Sequence, residues 1–506
     1  MDNIKKNVYG VNRFLFYGII IIVFFSLLFS SQLKVYSFFM DDLAYWKLFK
    51  SSTFIKFIFN TYTFKFRPVA NLFLYIGFFI IDFFNNTYLA EYIIIFFFSV
   101  TSVTIYYIFY RRSSSVVISI SLTFLFIISR FSYYSVGQYF GIMEDLGIIF
   151  SILALDNLIY FYEKNTKYKS IIYIFLATFC HERYLSLFSV YIVFFILNFL
   201  FKNGKEDRRK CASNIFIATV SLISIILIRK FVLGNNDLSG TGGTNLLETI
   251  DIGRLAIFFV KGLVNILGLN WGEEYLYGIS IKSMSYVIII IALISILLLI
   301  MILINGLRKN KKKLSYNINF MTIVFFILIS LFSGCITIRL EMRFLYLSYL
   351  GILYLLIFSI NNKYCDDSFI FIKVKYLFLL FVILTSITNI YYRLYWDDIY
   401  FVRHQKFYNF LYSDIIKKYG TDINNRPIIF LEDMTINIHK DSITDFLSQY
   451  YDINKLQLLF LNNLSNAPKD IFFKNVIVIL SNQRNANIHE RDFVDITNSI
   501  NLLNLH

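Results

Sequence analysis

Long apolar stretches recur along most of this chain, and they restrict its fold more than any other feature of the sequence. A helix that crosses a bilayer needs about 20 consecutive, predominantly apolar residues. Eleven stretches are candidates for such helices: 14–31, 89–110, 115–130, 145–162, 169–180, 184–202, 212–233, 285–304, 318–336, 343–361 and 374–394. Only 16% of the residues are charged, against about 25% in soluble domains. The sequence therefore predicts a polytopic α-helical membrane protein and excludes a disordered chain, a coiled coil and a nucleic-acid-binding domain.

Basic residues predict the orientation of these helices, because loops rich in Lys and Arg stay in the cytoplasm. The basic clusters are Arg111-Arg112, Lys164/Lys167/Lys169, Lys202–Lys210, Arg308–Lys313 and Lys363/Lys373. All of them fall on one side if the eleven stretches span and the apolar stretches 69–84 and 252–271 lie at the outer interface. We therefore expect about eleven spans in the plasma (inner) membrane, with the N-terminus cytoplasmic and the C-terminus external.

The character of the chain changes near residue 394. Residues 1–394 hold all eleven stretches and form the predicted transmembrane domain, whereas residues 395–506 lack a stretch of that length. Within this second part, Arg426–Leu431 and Asn475–Leu480 are short apolar stretches typical of buried strands. Helix-like sequences surround them. We expect a small external α/β domain over residues 395–506.

An acidic pair lies in the first predicted external loop, 32–66. Asp41 and Asp42 belong to the sequence FFMDDLAYW. Adjacent residues of a helix point about 100° apart, so we expect only one of the two to face a given site. A carboxylate at the mouth of a helical bundle can act as a general base or hold a metal ion. The alternative is that both acids simply face water.

Further charged residues recur on the same predicted face. They are Arg67 before Pro68, Arg130, Glu144-Asp145, His181-Glu182-Arg183, and Arg339, Glu341 and Arg343 in one turn. Charged side chains near a bilayer are costly and are usually functional or paired. Several carboxylates and arginines on one face suit a phosphate-linked substrate, because the leaving phosphate needs cations and the acceptor hydroxyl needs a base. The alternative for each group is a local ion pair that satisfies a loop, above all for Arg339, Glu341 and Arg343.

Two interpretations stay open at the level of the sequence. A divalent metal such as Mg²⁺ or Mn²⁺ could be held by Asp42 together with Glu144 or Glu182, although the sequence does not require one. Tyr45 and Trp46 could stack on sugar rings, but an interfacial aromatic belt is the commoner reason for such residues.

In their order, these features resemble the GT-C superfamily of membrane glycosyltransferases. The resemblance covers roughly residues 10–200, with a weaker echo near 339–346. It consists of an anchor helix, the acidic pair Asp41-Asp42 just after it, Arg67-Pro68 opening a helix, a cytoplasmic Arg-Arg, the acids Glu144-Asp145 ending an external loop, and an external His181-Glu182. The order and spacing of these features carry the resemblance.

The resemblance implies an enzyme that takes a sugar from a polyprenyl-phosphate donor on the external face, generally with inversion of the anomeric centre. The acceptor would be a glycan, a lipid or a protein of the cell envelope, and no nucleic acid is involved. Asp41 or Asp42 would be the base, because the first external loop carries the catalytic acid in this superfamily. Arg67 fits the position of a phosphate-contacting cation, and Arg339 or Arg343 would assist it. His181 departs from the family pattern, in which Lys is common there.

Two other functions are compatible with a polytopic membrane protein of this kind. A lipid-linked oligosaccharide polymerase or ligase usually relies on large external loops rich in Arg and His, whereas here the first loop with its acids is the richer one. A transporter or flippase often has two similar halves and helices broken near the midplane. This chain has only three Pro and no visible repeat, so a glycosyltransferase is the leading hypothesis.

Overall fold

A computed structural model of the protein shows a set of helices followed by a small mixed sheet. It describes residues 2–495 except 31–34, 36–37, 40, 62–64, 162–167, 202–203, 235–250, 273–278, 311–312, 337–338, 361–367, 397–398, 432–439, 453–455, 462–476 and 482–492. In chain order the helices are α1 (Asp2–Ser30), α2 (Asp41–Ser51), α3 (Phe54–Ile58), α4 (Pro68–Phe83), α5 (Leu89–Ser113), α6 (Val116–Ile128), α7 (Tyr133–Gly137), α8 (Gly141–Ile159), α9 (Lys169–Thr178), α10 (Leu187–Phe201), α11 (Lys205–Leu233), α12 (Ile252–Ile266), α13 (Tyr286–Asn310), α14 (Leu314–Cys335), α15 (Met342–Ile360), α16 (Ser368–Leu394), α17 (Tyr400–Phe410), α18 (Lys417–Tyr419) and α19 (Lys440–Leu447). The strands are β1 (Ile428–Leu431), β2 (Leu458–Leu461), β3 (Ile477–Ser481) and β4 (Phe493–Asp495).

Seven of the described helices are long and apolar enough to cross a membrane, and they coincide with seven of the predicted stretches. They are α5, α10 with the 3₁₀ turn that precedes it, α11, α13, α14, α15 and the Val374–Leu394 part of α16. Their length and composition are those of a polytopic helical membrane protein, in which each span must satisfy its own backbone hydrogen bonds.

The other four predicted spans are helical but differ from simple spanning helices. The part of α1 whose side chains are described, Leu15–Ser30, is a short apolar helix, and so is α9. α6 continues through a 3₁₀ turn into α7, and the two segments meet at an angle of 55°. α8 carries Glu144, Asp145 and Asp156 within its 19 residues. By length and composition, the described chain thus has seven helices that could each cross a membrane, or eight if the bent pair is one span.

The two apolar stretches expected at the interface form α4 and α12, of 16 and 15 residues. Each is therefore shorter than the roughly 20 residues that a span requires. α12 begins at Asp251, whose carboxylate accepts hydrogen bonds from the backbone N–H groups of Gly253 and Arg254, as expected of a helix cap. Arg254, Lys261 and Asn265 recur seven and four residues apart on one side of this helix, so α12 is amphipathic.

α15 lies at the centre of the bundle, since its side chains are buried almost throughout. It packs against α5, α13 and α14. The outer helices expose large apolar side chains, such as Phe231 on α11 and Tyr286 on α13. Apolar groups on an outer surface are what a helix needs where lipid rather than water surrounds it.

A group of buried charged side chains joins α5, α8 and α15. It lies about 18 Å along α8 from Glu144. The Asp156 carboxylate accepts a hydrogen bond from Arg112 Nε at 2.5 Å and forms an ion pair with Arg111. The Tyr354 hydroxyl on α15 donates to the same carboxylate at 3.1 Å. Pairing makes the burial of these charges tolerable. The Arg-Arg pair, which the charge pattern predicts to be an orientation signal, therefore also ties α5 to α8.

The strands form one sheet in the order β2-β1-β3-β4. β1 pairs in parallel with β2 and β3, and β3 pairs in antiparallel fashion with β4. β1 and β3 lie where the sequence predicts buried strands, whereas β2 and β4 have no clear sequence signal. Parallel neighbours need a crossover connection, and α19 lies in the one between β1 and β2.

Candidate functional site

Arg67 and Glu182 form a bidentate ion pair between two loops that are 115 residues apart in sequence. Arg67 precedes Pro68, and Pro at the first position of a helix fixes where α4 begins. The Arg67 side chain is buried, and its Nε and Nη2 donate to the Glu182 carboxylate at 2.8 and 2.6 Å. Its remaining nitrogen, Nη1, faces the Met143 sulfur at 3.7 Å. Most donors of Arg67 are therefore already used within the protein.

His181 lies against the same guanidinium, with Nε2 at 3.1 Å from Arg67 Nη2. A guanidinium only donates, so Nε2 accepts in this contact, and Nδ1 accepts from the backbone N–H of Arg183 at 3.4 Å and lies 3.7 Å from a Glu182 oxygen. Burial, and then the charge of Arg67, hold the pKa of His181 well below its usual 6.5. His181 is therefore neutral at pH 7 and does not supply the cation that the resemblance leads one to expect there.

Arg183 and Glu144 form a second buried ion pair, and the Tyr184 hydroxyl donates to the same carboxylate at 3.3 Å. Arg183 and Glu144, two predicted site residues from different loops, therefore lie close together, but they pair with each other. Asp145, the next residue of α8, is also fully buried. It lies beside Ser135 and takes part in no ion pair among the described residues.

The turn before α15 contains the third group of charges. Glu341 forms ion pairs with Arg339 and with Arg343, each at 2.6 Å. These two cations lower the pKa of Glu341 below its usual value although burial opposes them. The local ion pair, the alternative interpretation of this turn, is therefore present. Among the described residues, one carboxylate thus faces two cations.

Asp42 is a buried anchor of α2. One carboxylate oxygen accepts from the backbone N–H of Tyr139 at 2.9 Å, and the other accepts from Phe140 at 2.8 Å. Burial raises the pKa of Asp42 to about 7, although these two hydrogen bonds act against the rise. Both oxygens are occupied, so Asp42 ties the first loop to the turn between α7 and α8.

Replacing Asp42 by Asn will loosen this tie. The amide keeps one acceptor, but its NH₂ group must face a backbone N–H that then has no partner. A buried donor without a partner costs about 1–3 kcal/mol. We expect a loss of this size in the free energy of unfolding, measured by titration with a denaturing detergent. An unchanged unfolding curve would show that these two hydrogen bonds do not hold the loop.

Asp41, the other acid of the pair, has a different environment from Asp42. Its side chain is exposed, and it forms no hydrogen bond or ion pair with any residue that the structure describes. Its charge nevertheless acts on Lys65, Arg343 and Tyr134, so it lies beside the charged cluster. Of the acidic pair, Asp41 is therefore the carboxylate that remains available to a substrate.

Lys65 is a member of the cluster that sequence reasoning missed. It lies two residues before Arg67, and its position in the first loop was the available signal. Burial, and then the charge of Arg67, lower its pKa to about 8, with Arg343 acting in the same direction and Glu182 and Asp41 opposing. Lys65 forms no ion pair among the described residues.

Among the described residues, the cluster brings five cations together with four carboxylates. The cations are Lys65, Arg67, Arg183, Arg339 and Arg343, and the carboxylates that face them are those of Asp41, Glu144, Glu182 and Glu341. An anion is the ligand that this arrangement favours, and the nearby Asp41 carboxylate can accept a proton.

The three carboxylates proposed as metal ligands do not form a metal site. Asp42 accepts two backbone hydrogen bonds, Glu144 pairs with Arg183, and Glu182 pairs with Arg67. In the described part of the chain, no three His, Cys, Asp or Glu side chains come together in a way that could hold a metal ion. The described residues therefore do not fit a divalent metal.

Tyr45 and Trp46 pack inward. The Tyr45 ring contacts Phe140 with 4.7 Å between centroids, and Trp46 contacts Phe38 at 5.0 Å. Tyr45 is buried and Trp46 is partly buried. Both therefore support the first loop, and neither is an open platform for a sugar ring.

Comparison with known proteins assigns no function to the charged cluster. No protein-family model matches this chain, and no curated protein matches it.

Proposed function

We propose that the protein is an integral-membrane glycosyltransferase of the GT-C type. It moves a sugar from a polyprenyl-phosphate-linked donor to a glycan, lipid or protein acceptor on the external face. The observation that carries this proposal is the exposed carboxylate of Asp41 beside the cations Lys65 and Arg343. Transfer of a sugar from a phosphate requires both a base and cations in one place.

In the proposed reaction, Asp41 accepts the proton of the acceptor hydroxyl. The hydroxyl oxygen forms a bond to the anomeric carbon from the face opposite the phosphate, and the bond between that carbon and the phosphate oxygen breaks. The electron pair of this bond leaves with the phosphate, so the configuration of the sugar inverts. Lys65 and Arg343 stabilise the departing anion, and this stabilisation lowers the barrier because the charge develops in the transition state.

Arg67 has a different role from the one that the resemblance implies. Its Nε and Nη2 are held by Glu182, and Nη1 faces the Met143 sulfur. We assign it to the framework of the site, where it fixes the first loop against the turn that contains His181. Arg339 contributes charge from the rim, because its side chain is 47% exposed.

The finer architecture belongs to the same proposal. About eleven spans form residues 1–394, with the N-terminus cytoplasmic, and residues 395–506 form an external α/β domain of a plasma-membrane protein. The seven helices that are long enough to cross a membrane support the proposed transmembrane domain. The parallel strands β1, β2 and β3 support the proposed α/β domain.

The titration of Lys65 gives the site a pH limit. The charged form binds the donor phosphate, and the pKa of about 8 means that this charge is lost as the pH rises through 8. We expect kcat/KM, which reports the titration of groups in the free enzyme, to fall by about tenfold above pH 8. A fall of this size corresponds to the loss of one charge-assisted hydrogen bond. The measurement is the pH profile of donor turnover.

The matched variant for this profile is Lys65→Arg. A guanidinium stays charged throughout this range, so the variant keeps its kcat/KM above pH 8 if Lys65 causes the fall. A parallel fall in the variant would assign the titration to another group.

Turnover of a lipid-linked sugar tests the proposed function itself. Membranes that contain the protein receive a polyprenyl phosphate with a radiolabelled sugar. We expect label to leave the lipid fraction, and the product to have the opposite anomeric configuration. Retention of configuration would contradict the single-displacement reaction.

A further inference from the structure

The C-terminal part of the chain packs on the loop that carries Asp41. One buried apolar cluster contains residues of the first loop, of α4 and of the segment from α17 to α19. Its fully buried members include Phe38, Phe407 and Phe446. A shared core of this kind is a permanent contact, unlike the polar interface that is usual between mobile domains.

Three contacts fix this packing close to α2. The rings of Phe39 and Tyr408 stack with 5.5 Å between centroids. The side-chain amide of Gln449 donates to the backbone oxygen of Phe38 at 3.2 Å. Lys47 on α2 forms an ion pair with Asp445 on α19 at 2.5 Å, although both of these side chains are largely exposed and such pairs contribute little energy.

The same two Phe residues lead directly into the acidic pair. The backbone N–H of Asp42 donates to the backbone oxygen of Phe39 at 3.1 Å. The first turn of α2 is thus bonded directly to a residue that the C-terminal part of the chain contacts. On its other side, Asp42 is held by the backbone of Tyr139 and Phe140. The first turn of α2 is thus fixed from two sides, by the C-terminal segment and by the turn before α8.

We infer that residues 400–431 and 440–451 form a positioning element of the site, which holds Asp41 in place for its reaction. The activity part of this inference rests on the function proposed above. Tyr408 and Gln449 are positioning residues, since they act on Asp41 through Phe38 and Phe39 and do not touch a substrate. If these residues instead recognised the acceptor, their replacement would raise the acceptor KM alone.

The contact itself can be tested without any assay of function. A carbodiimide joins an amine and a carboxylate that already touch, so in the full-length protein it should link Lys47 to Asp445 by an amide bond. We expect the joined peptide in mass spectra of the parent protein and its loss in Lys47→Arg, which keeps the charge but lacks the amine. Absence of the joined peptide in the parent would overturn the packing.

The positioning role is tested with the double variant Tyr408→Leu, Gln449→Met, which removes the stacked ring and the amide donor but keeps apolar bulk. A misplacement of about 1 Å at a reacting group can cost about 100-fold, so we expect kcat to fall tenfold or more. The KM values for donor and acceptor should change little. Ser448→Ala is the control, because among the described residues its hydroxyl donates only to the backbone oxygen of Asp445, within its own segment.

A second readout is independent of catalysis. In an Asp41→Cys background, the double variant should increase the rate at which a water-soluble maleimide labels that cysteine, because a loosened loop is more accessible. Unchanged labelling together with unchanged kcat would overturn the inference, and a rise in acceptor KM alone would assign the segment to acceptor recognition instead. Faster labelling in a protein that turns over no lipid-linked sugar would keep the positioning role and reject the proposed function.

Discussion

Replacing Asp41 by Asn will abolish sugar transfer and leave the fold intact. The substitution removes the base but keeps the size of the side chain, and a positioned base contributes about 100-fold to 10,000-fold in rate. Asp41 is exposed and has no hydrogen bond or ion pair among the described residues, so the fold loses only the small contribution of a carboxylate at the start of α2, about 0.3–1 kcal/mol. The measurement is donor turnover in membranes, with the unfolding curve of the same preparation.

The control for this variant is Asp414→Asn, at an exposed acid of the C-terminal segment. It should keep full activity, which separates the loss of a base from a general effect of charge. Asp42→Asn gives the opposite pattern to Asp41→Asn, since its first effect is on stability. Full turnover by Asp41→Asn would contradict the assignment of Asp41 as the base.

Replacing Arg67 by Met will destabilise the protein more than replacing Asp42 by Asn. The variant leaves the Glu182 carboxylate without its bidentate partner. Breaking a buried ion pair costs about 3–5 kcal/mol, and we expect the lower value because the Glu182 side chain is 20% exposed to water. The measurement is the free energy of unfolding, from titration with a denaturing detergent.

The double variant Arg67→Met, Glu182→Gln is the matched comparison. It removes the stranded charge, so much of the lost stability should return, as it does when both partners of a buried pair are replaced. If the single and double variants unfold alike, the carboxylate is not left uncompensated and Arg67 does not have the framework role assigned to it.

Much of the fold follows from the sequence because apolar length is a local property. α5, α11 and α13 could be located from composition alone, since a spanning helix must be both long and apolar. The break between α6 and α7 could not be located in this way; Arg130 lies at the break and donates to the carbonyl and amide oxygens of Asn265, 135 residues later, and such a contact leaves no local pattern. β4 was not predicted because a strand of three residues carries little pattern, and β2, although as long as β1, was not predicted either.

The site was predictable in its location but not in its pairing. Charged residues near a bilayer are costly, so Arg67, Glu182 and Arg183 stood out in the sequence. Which cation meets which acid is a long-range property: Glu182 meets Arg67, and its neighbour Arg183 meets Glu144. These pairings explain why the described carboxylates do not form the metal site that the sequence allowed.

The acidic pair shows the same limit at a finer scale. Helical geometry predicts that Asp41 and Asp42 point in different directions, but it does not say which one faces inward. The choice is made by the backbone N–H groups of Tyr139 and Phe140, which bind Asp42. Lys65 was overlooked because a single Lys in a loop has no distinctive pattern, and only its burial and its charged neighbours set it apart.

Turnover of a radiolabelled polyprenyl-phosphate sugar, compared between the parent protein and Asp41→Asn in the same membranes, tests the central claim most directly. The claim predicts that label leaves the lipid in the parent and remains there in the variant, with equal amounts of folded protein in both. Equal release of label by the two proteins, or no release by the folded parent from either a monophosphate or a pyrophosphate donor, would contradict it.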